Sequence, residues 1–200
     1  HNDKSVGKVL DVFDRVNREH PIGNLRWAIA HLEEASAATL ERMKSLGVGW
    51  ALQDAGYYEG ETQLKEKGEQ ALKRMPAMNT ALKIGVHVGA GTDAHRVASY
   101  NPFVSLQWML DGKTAGGKGL RGPEETPTRE NALRMYTSGS AWFAHDETRR
   151  GSLEVGKLAD LAVLSKDYMT VPVSEIGEIE AVMTMVGGKV VYSKDDAAKK

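Results

Sequence analysis

Four side chains of this 200-residue sequence pair a reactive residue type with a place just after an apolar run: His31, Asp93, His95 and Arg96. A neutral imidazole can ligate a metal, a carboxylate can take up a proton, and a guanidinium can grip a carboxylate or carbonyl through paired N–H donors. Three of the four close the stretch Ile84-Gly85-Val86-His87-Val88-Gly89-Ala90-Gly91-Thr92-Asp93-Ala94-His95-Arg96. Its Val- and Gly-rich start suits a buried strand, and charges at such a strand's end cannot stay in the core unpaired. They must open into a cleft or bind something, and parallel α/β proteins build sites at the C-terminal ends of strands. Gly91 lets a backbone or ligand come close to Asp93. The plainer readings are an Asp that caps the next turn, a His that is only a polar strand end, and a solvated loop ion pair for His95 and Arg96.

The remaining histidines are read more simply. His87 lies inside the strand and shares a face with Asp93 if the strand stays regular; it reads as a packed core residue. His20 and His145 flank helix ends and read as surface residues.

Composition narrows the classes. With 41% hydrophobic and 26% charged residues the chain has a globular composition, and its net charge of −1 makes no electrostatic case for nucleic acid or an anionic membrane. The sparse, Gly-interrupted Lys113, Lys118 and Arg121 do not change that. Having no cysteine excludes disulfides and thiolate metal sites, leaving His and carboxylate as ligands. No apolar run approaches membrane-spanning length. A cytoplasmic location is expected.

Around these residues the pattern alternates. A helical period runs from Lys4 to Glu19 and stops at Pro21 and Gly23. Leu25–Ala30 reads as a strand ending in His31, and Ser36 fits the N-cap of a helix to Leu46 closed by Gly47. Val48–Gln53 reads as a second strand, followed by a loop with Tyr57, Tyr58 and Gly60. Helical stretches over Thr62–Arg74 and Met78–Ile84 lead to the third strand. Helix and strand in alternation predict a parallel α/β sheet. Asn101-Pro102 opens a further helix, Asp111–Gly122 is a long Gly/Lys-rich loop, and Thr128 opens another helix. After the turn-rich Gly151–Lys157 come a strand over Leu158–Leu164, a hairpin about Gly187-Gly188 and a charged tail from Asp195.

Several segments resemble the amidohydrolase superfamily. Gly151-Ser152-Leu153-Glu154-Val155-Gly156-Lys157-Leu158-Ala159-Asp160-Leu161-Ala162-Val163-Leu164 resembles its G-S-[LI]-x-x-G-K-x-A-D-[LF]-x-[VI]-L signature. Met185–Tyr192 resembles the C-terminal hairpin, and Thr126–Trp142 the helix ahead of the linker. Gly91-Thr92-Asp93-Ala94 resembles the G-[ST]-D-A end of the eighth barrel strand, and Ala30-His31-Leu32-Glu33 sits where the sixth-strand histidine belongs. The branch most resembled is the amidohydrolase-3 group of metal-dependent hydrolases.

The resemblance implies an α/β fold, the C-terminal part of a metal-dependent (β/α)8 barrel, about strands five or six to eight. Residues 1–150 would be the partial barrel and 151–200 the C-terminal part of a composite β-sandwich. About 250 residues make such a barrel, so the chain looks like a piece of a longer protein. The first-strand His-x-His pair and the acidic or carboxylated-lysine bridging ligand are absent. Asn2-Asp3 match the end of the fifth-strand pattern, which leaves His1 on a spacer position. The resemblance further implies a divalent metal, most readily zinc, with His31 and Asp93 as ligands, Glu33 orienting His31, and His95 and Arg96 touching substrate. Asp93 would accept the proton of the attacking water and return it to the leaving amine of a small amide-type substrate. Asp160 would be structural. The expected function is hydrolysis of a carbon–nitrogen, non-peptide bond, with the isolated 200 residues inactive for want of ligands. The alternative is a non-catalytic half-barrel that completes itself by pairing. Open sheet edges and bared apolar surface predict a homo-oligomer, or a missing N-terminal half as partner.

Overall fold

The computed structural model describes residues 2–94 and 98–197. His1, His95 and Arg96, all named above, lie outside the described residues.

The first helix, α1 (Asp3–Glu19), begins at an Asn2 N-cap, where Asn2 Oδ1 accepts the Ser5 N–H at 2.9 Å and Ser5 Oγ accepts the Asn2 N–H at 3.3 Å. This reciprocal pair satisfies two donors that a helix start otherwise leaves bare. Val6 and Leu10 are buried, and Phe13 and Val16 pack on the core as the helical period requires. Strand β1 (Ala28–Ala30) is shorter than the apolar run because Arg26 takes a left-handed backbone, φ 54°. That conformation delays the strand, which begins two residues after Arg26. Its guanidinium pairs with Glu147 at 2.6 Å and stacks over Trp142.

Helix α2 (Ala37–Ser45) starts at Ser36, whose side chain accepts the Thr39 N–H, and leads through Gly47 to β2 (Gly49–Leu52). Here the structure departs from the sequence reading. Tyr57, Tyr58 and Gly60 lie on a helix, α3 (Ala55–Lys67), and not in a loop. The stretch expected as one helix to Arg74 breaks at Gly68, φ 80°, before the short α4 (Glu69–Leu72). Helix α5 (Met78–Ile84) ends on left-handed Gly85 and feeds β3 (Val88–Ala90). The three strands form one parallel sheet in the order β1-β2-β3, with Ile29, Trp50 and Val88 in register. Trp50, Met43, Leu40 and Met78 form the fully buried centre of the core.

Helix α6 (Pro102–Asp111) carries Asn101 as N-cap and Pro102 at its first turn, the arrangement a helix start favours. Helix α7 (Arg129–Arg134) starts at Thr128 and passes through a π-helical turn, Met135–Gly139, into α8 (Ser140–Phe143). The turn presses against β3: Ser140 Oγ donates to Ala90 O at 2.8 Å, and a Cβ on Gly139 would meet Val88 O at 2.3 Å. Only a residue without a side chain permits that approach.

A second, antiparallel sheet joins β4 (Leu161–Leu164), β5 (Ala181–Val186) and β6 (Lys189–Ser193) in that order. The hairpin turn is Gly187-Gly188, both with positive φ, as tight hairpins require. Asp160 Oδ1 accepts the Gly187 N–H at 2.7 Å, the structural role expected of it. Between β4 and β5 the chain runs back to α6, where Ile176 and Ile179 join the main core and Gln107 Oε1 accepts the Gly177 N–H at 2.8 Å.

Candidate functional site

The C-terminal ends of β1, β2 and β3 open into one cleft of about 290 Å³, lined by His31, Gln53, Asp54, Thr92 and Asp93 from the strand ends and by Tyr58 and Glu59 from α3. His31 and Asp93 come from the two outer strands and converge across the end of β2, with His31 Nε2 3.5 Å from Asp93 Oδ2. Their side chains are 40% and 44% exposed, so each can meet a ligand. Both residues have left-handed backbones, φ 53° and 56°. Such conformations are costly for non-glycine residues and collect at functional sites. Because the chain leaves the strand at Gly91 and reverses at Asp93, the expected shared face of His87 and Asp93 does not arise. His87 instead stacks on Trp142 at 3.9 Å, its Nε2 3.0 Å from Gly139 O. Burial pushes its pKa down and keeps it neutral. It is the packed histidine expected. His20 and His145 are exposed.

Surrounding groups hold the pair. Gln53 Oε1 accepts the His31 backbone N–H at 3.0 Å, tying the ends of β1 and β2. Tyr58, on the cleft wall, accepts the Ser99 N–H through its hydroxyl at 2.8 Å. Glu33, expected to orient His31, accepts from Gln63 Nε2 at 3.0 Å, and burial followed by the nearby Glu59 charge raises its pKa.

The structure adds a residue that the sequence reading passed over. Asp54 is only 1% exposed, and neither carboxylate oxygen has a hydrogen-bond partner. Burial pushes its pKa up to about 6; its own backbone and the nearby Ser105 hydroxyl offset part of this, and the Asp93 charge adds to it. The Tyr136 hydroxyl, also buried without a partner, belongs to the same cluster and is pushed up to about 12 by burial. A charge closing an apolar run draws attention to Asp93, and the same rule applies to Asp54 after Val48–Gln53.

The donor chemistry fits part of a metal centre. Two ligands on one four-coordinate ion with bonds of about 2.0–2.2 Å sit roughly 3.3–3.6 Å apart, which matches the imidazole–carboxylate separation here. Among the described residues no group of three or more His, Asp or Glu side chains is placed to hold an ion. The pair could supply two ligands, short of the set a metal centre needs.

An α/β protein with an imidazole and a carboxylate converging over the ends of parallel strands is built as a metal-hydrolase scaffold is built. The chain belongs to the amidohydrolase family, whose model matches residues 1–192. It is 28% identical over 193 residues to N-substituted formamide deformylase of Arthrobacter pascens, covering 95% of this chain and 35% of that relative. Among solved structures it resembles an uncharacterized metal-dependent hydrolase of Pyrococcus horikoshii, TM-score 0.70 at 23% identity, over 86% of this chain and 34% of that one. A second such hydrolase, from Pyrococcus furiosus, aligns with TM-score 0.67 at 27% identity, over 84% of this chain and 32% of that one. The chain spans about a third of the length of the curated relatives it matches. No helix among the described residues is long and apolar enough to cross a membrane.

Proposed function

We propose that this chain is the C-terminal share of a metal-dependent hydrolase of carbon–nitrogen, non-peptide bonds. On this reading β1, β2 and β3 are the last three strands of an eight-stranded barrel, and β4 to β6 are one part of a β-sandwich. The observation that carries it is the 3.5 Å approach of His31 Nε2 to Asp93 Oδ2 at the strand ends. The family and the formamide-cleaving relative support the bond type. The exposed Val186, Val190, Val191 and Tyr192 support a sheet whose partner comes from elsewhere.

His31 and Asp93 would hold the ion, for which their nitrogen and oxygen donors suit zinc. When bound, the metal would acidify water and polarise the substrate carbonyl. Asp93 takes the proton from the attacking water at its carboxylate and delivers it to the departing nitrogen, releasing a carboxylate and an amine. Gln53 fixes the His31 backbone, and with it the imidazole's approach, while Tyr58 lines the same cleft. The substrate is a small amide-type molecule, with His95 and Arg96 proposed to meet it.

The test is zinc uptake by this chain, measured by titration calorimetry and by metal analysis after dialysis. Two protein ligands predict weak, saturable binding and retention of less than about a tenth of an equivalent. His31→Ala and Asp93→Asn should each abolish the calorimetric signal. Uptake unchanged in both variants refutes the site.

A further inference from the structure

Trp142, on α8, is where separate parts of the chain meet. His87, just ahead of β3, stacks on its ring at 3.9 Å with the planes 20° apart, and Phe143 meets the imidazole edge-on at 5.6 Å. The Arg26 guanidinium lies 4.7 Å from the centre of the same indole and also donates to the Trp142 carbonyl. From the π-helical turn, Gly139 O lies 3.0 Å from His87 Nε2. A carbonyl only accepts, so Nε2 carries the hydrogen of the neutral ring and Nδ1 is the nitrogen that gains a proton.

The linker to the second sheet leans on the same turn. Gly151 has φ 92°, and a Cβ there would come within 2.8 Å of Ser138 Cα and 2.9 Å of Ala141 Cβ. Farther along the linker, Lys157 Nζ donates to Glu147 O at 2.7 Å.

Among the described residues a proton on His87 finds no free counter-charge. Arg26 and Lys44 act on it as cations and Glu147 as the anion. Both oxygens of Glu147 already accept from Arg26, at 2.6 and 2.9 Å, which with the neighbouring backbone and the more distant His145 holds its pKa down at about 2. Arg134 on α7 lines the same space and pairs with Glu130 at 2.7 Å. Burial pushes the His87 pKa below its ordinary 6.5; the Gly139 carbonyl and Glu147 offset part of this, and Arg26 and Lys44 add to it. A cavity of about 380 Å³, lined by Met135, Gly139 and Glu147 among others, opens beside His87 and Trp142 and admits solvent protons. Folding therefore favours the neutral ring. Its contribution is complete above about pH 6.5 and is lost as pH falls towards the folded-state value.

We propose that His87, Trp142 and Arg26 form an acid-released latch, which at neutral pH holds the π-helical turn, and through it the linker to the second sheet, against β3. The latch is independent of any metal and of the hydrolase reading.

The experiment is NMR of the metal-free, isotope-labelled chain from about pH 8 to about pH 5, following the His87 imidazole and the amide exchange protection of residues 135–143 and 151–157. It is repeated in Asp54→Asn, because Asp54 titrates at about 6 and acts on Tyr136 of the same turn. His87 should titrate below 6.5. Across its titration the protection of both segments, taken against the intrinsic exchange rate, should fall by up to about tenfold per pH unit, the limit for one proton. Amides around Trp50 should keep theirs. His87→Gln keeps a donor for Gly139 O and cannot be protonated, so the fall should vanish. If this variant does not fold, the coincidence of the loss with the His87 midpoint in Asp54→Asn decides alone. A His87 midpoint at or above 6.5 overturns the proposal. So does protection that stays constant through the His87 titration, a linker that stays protected while the turn opens, or an equal fall in folded His87→Gln.

Discussion

Asp54→Asn should stabilise the metal-free protein at neutral pH, because the wild-type fold holds a carboxylate that burial disfavours. Its pKa rises from 3.8 to about 6 on folding, a difference of about 2 units. At about 1.4 kcal/mol per unit this is on the order of 3 kcal/mol. The folded state binds the proton more tightly than the unfolded state, so the group costs nothing below about pH 4. The cost grows as pH rises from about 4 to about 6 and is constant above that. Asparagine keeps the shape and removes the charge. The stability difference between variant and wild type should therefore be near zero at pH 3.5 and reach roughly 3 kcal/mol at pH 8. For a chain of this size that is about 6–12 °C in melting temperature. Urea unfolding followed by tryptophan fluorescence in the presence of a chelator measures it at each pH. A difference that is absent at pH 8, or that does not change between pH 3.5 and 8, refutes the reasoning.

Two further outcomes follow from the packing. Gly139→Ala places a Cβ where Val88 O lies 2.3 Å away, so the π-helical turn or β3 must shift; a loss of about 1–3 kcal/mol is expected in the same urea assay, and an unchanged midpoint refutes the close approach. The outer edges of β1 and β3 and the exposed Val190, Val191 and Tyr192 of β6 predict a concentration-dependent homo-oligomer. Sedimentation velocity should show mass increasing with concentration and Val191→Lys weakening the association; a monomer at all concentrations refutes it.

What the sequence by itself determined is what depends on near neighbours along the chain. Asn101-Pro102 and Ser36 mark helix starts because a cap acts within three residues, and Gly187-Gly188 marks the hairpin because only such residues take two successive positive φ values. His31 and Asp93 could be singled out because a polar residue after an apolar run is a local pattern, and the amidohydrolase signature is a continuous string. Residues 55–61 read as loop because their aromatic and glycine content is weakly helical. They form a helix because Gly60 admits the side chains of Thr114 and Leu120 and Tyr57 O accepts the Ala115 N–H, contacts made from the far side of α6. The burial of Asp54, the stacking of His87 on Trp142 and the meeting of His31 with Asp93 were decided only by tertiary structure. Desolvation and counter-charge are properties of the space around a group, and residues distant in sequence define that space.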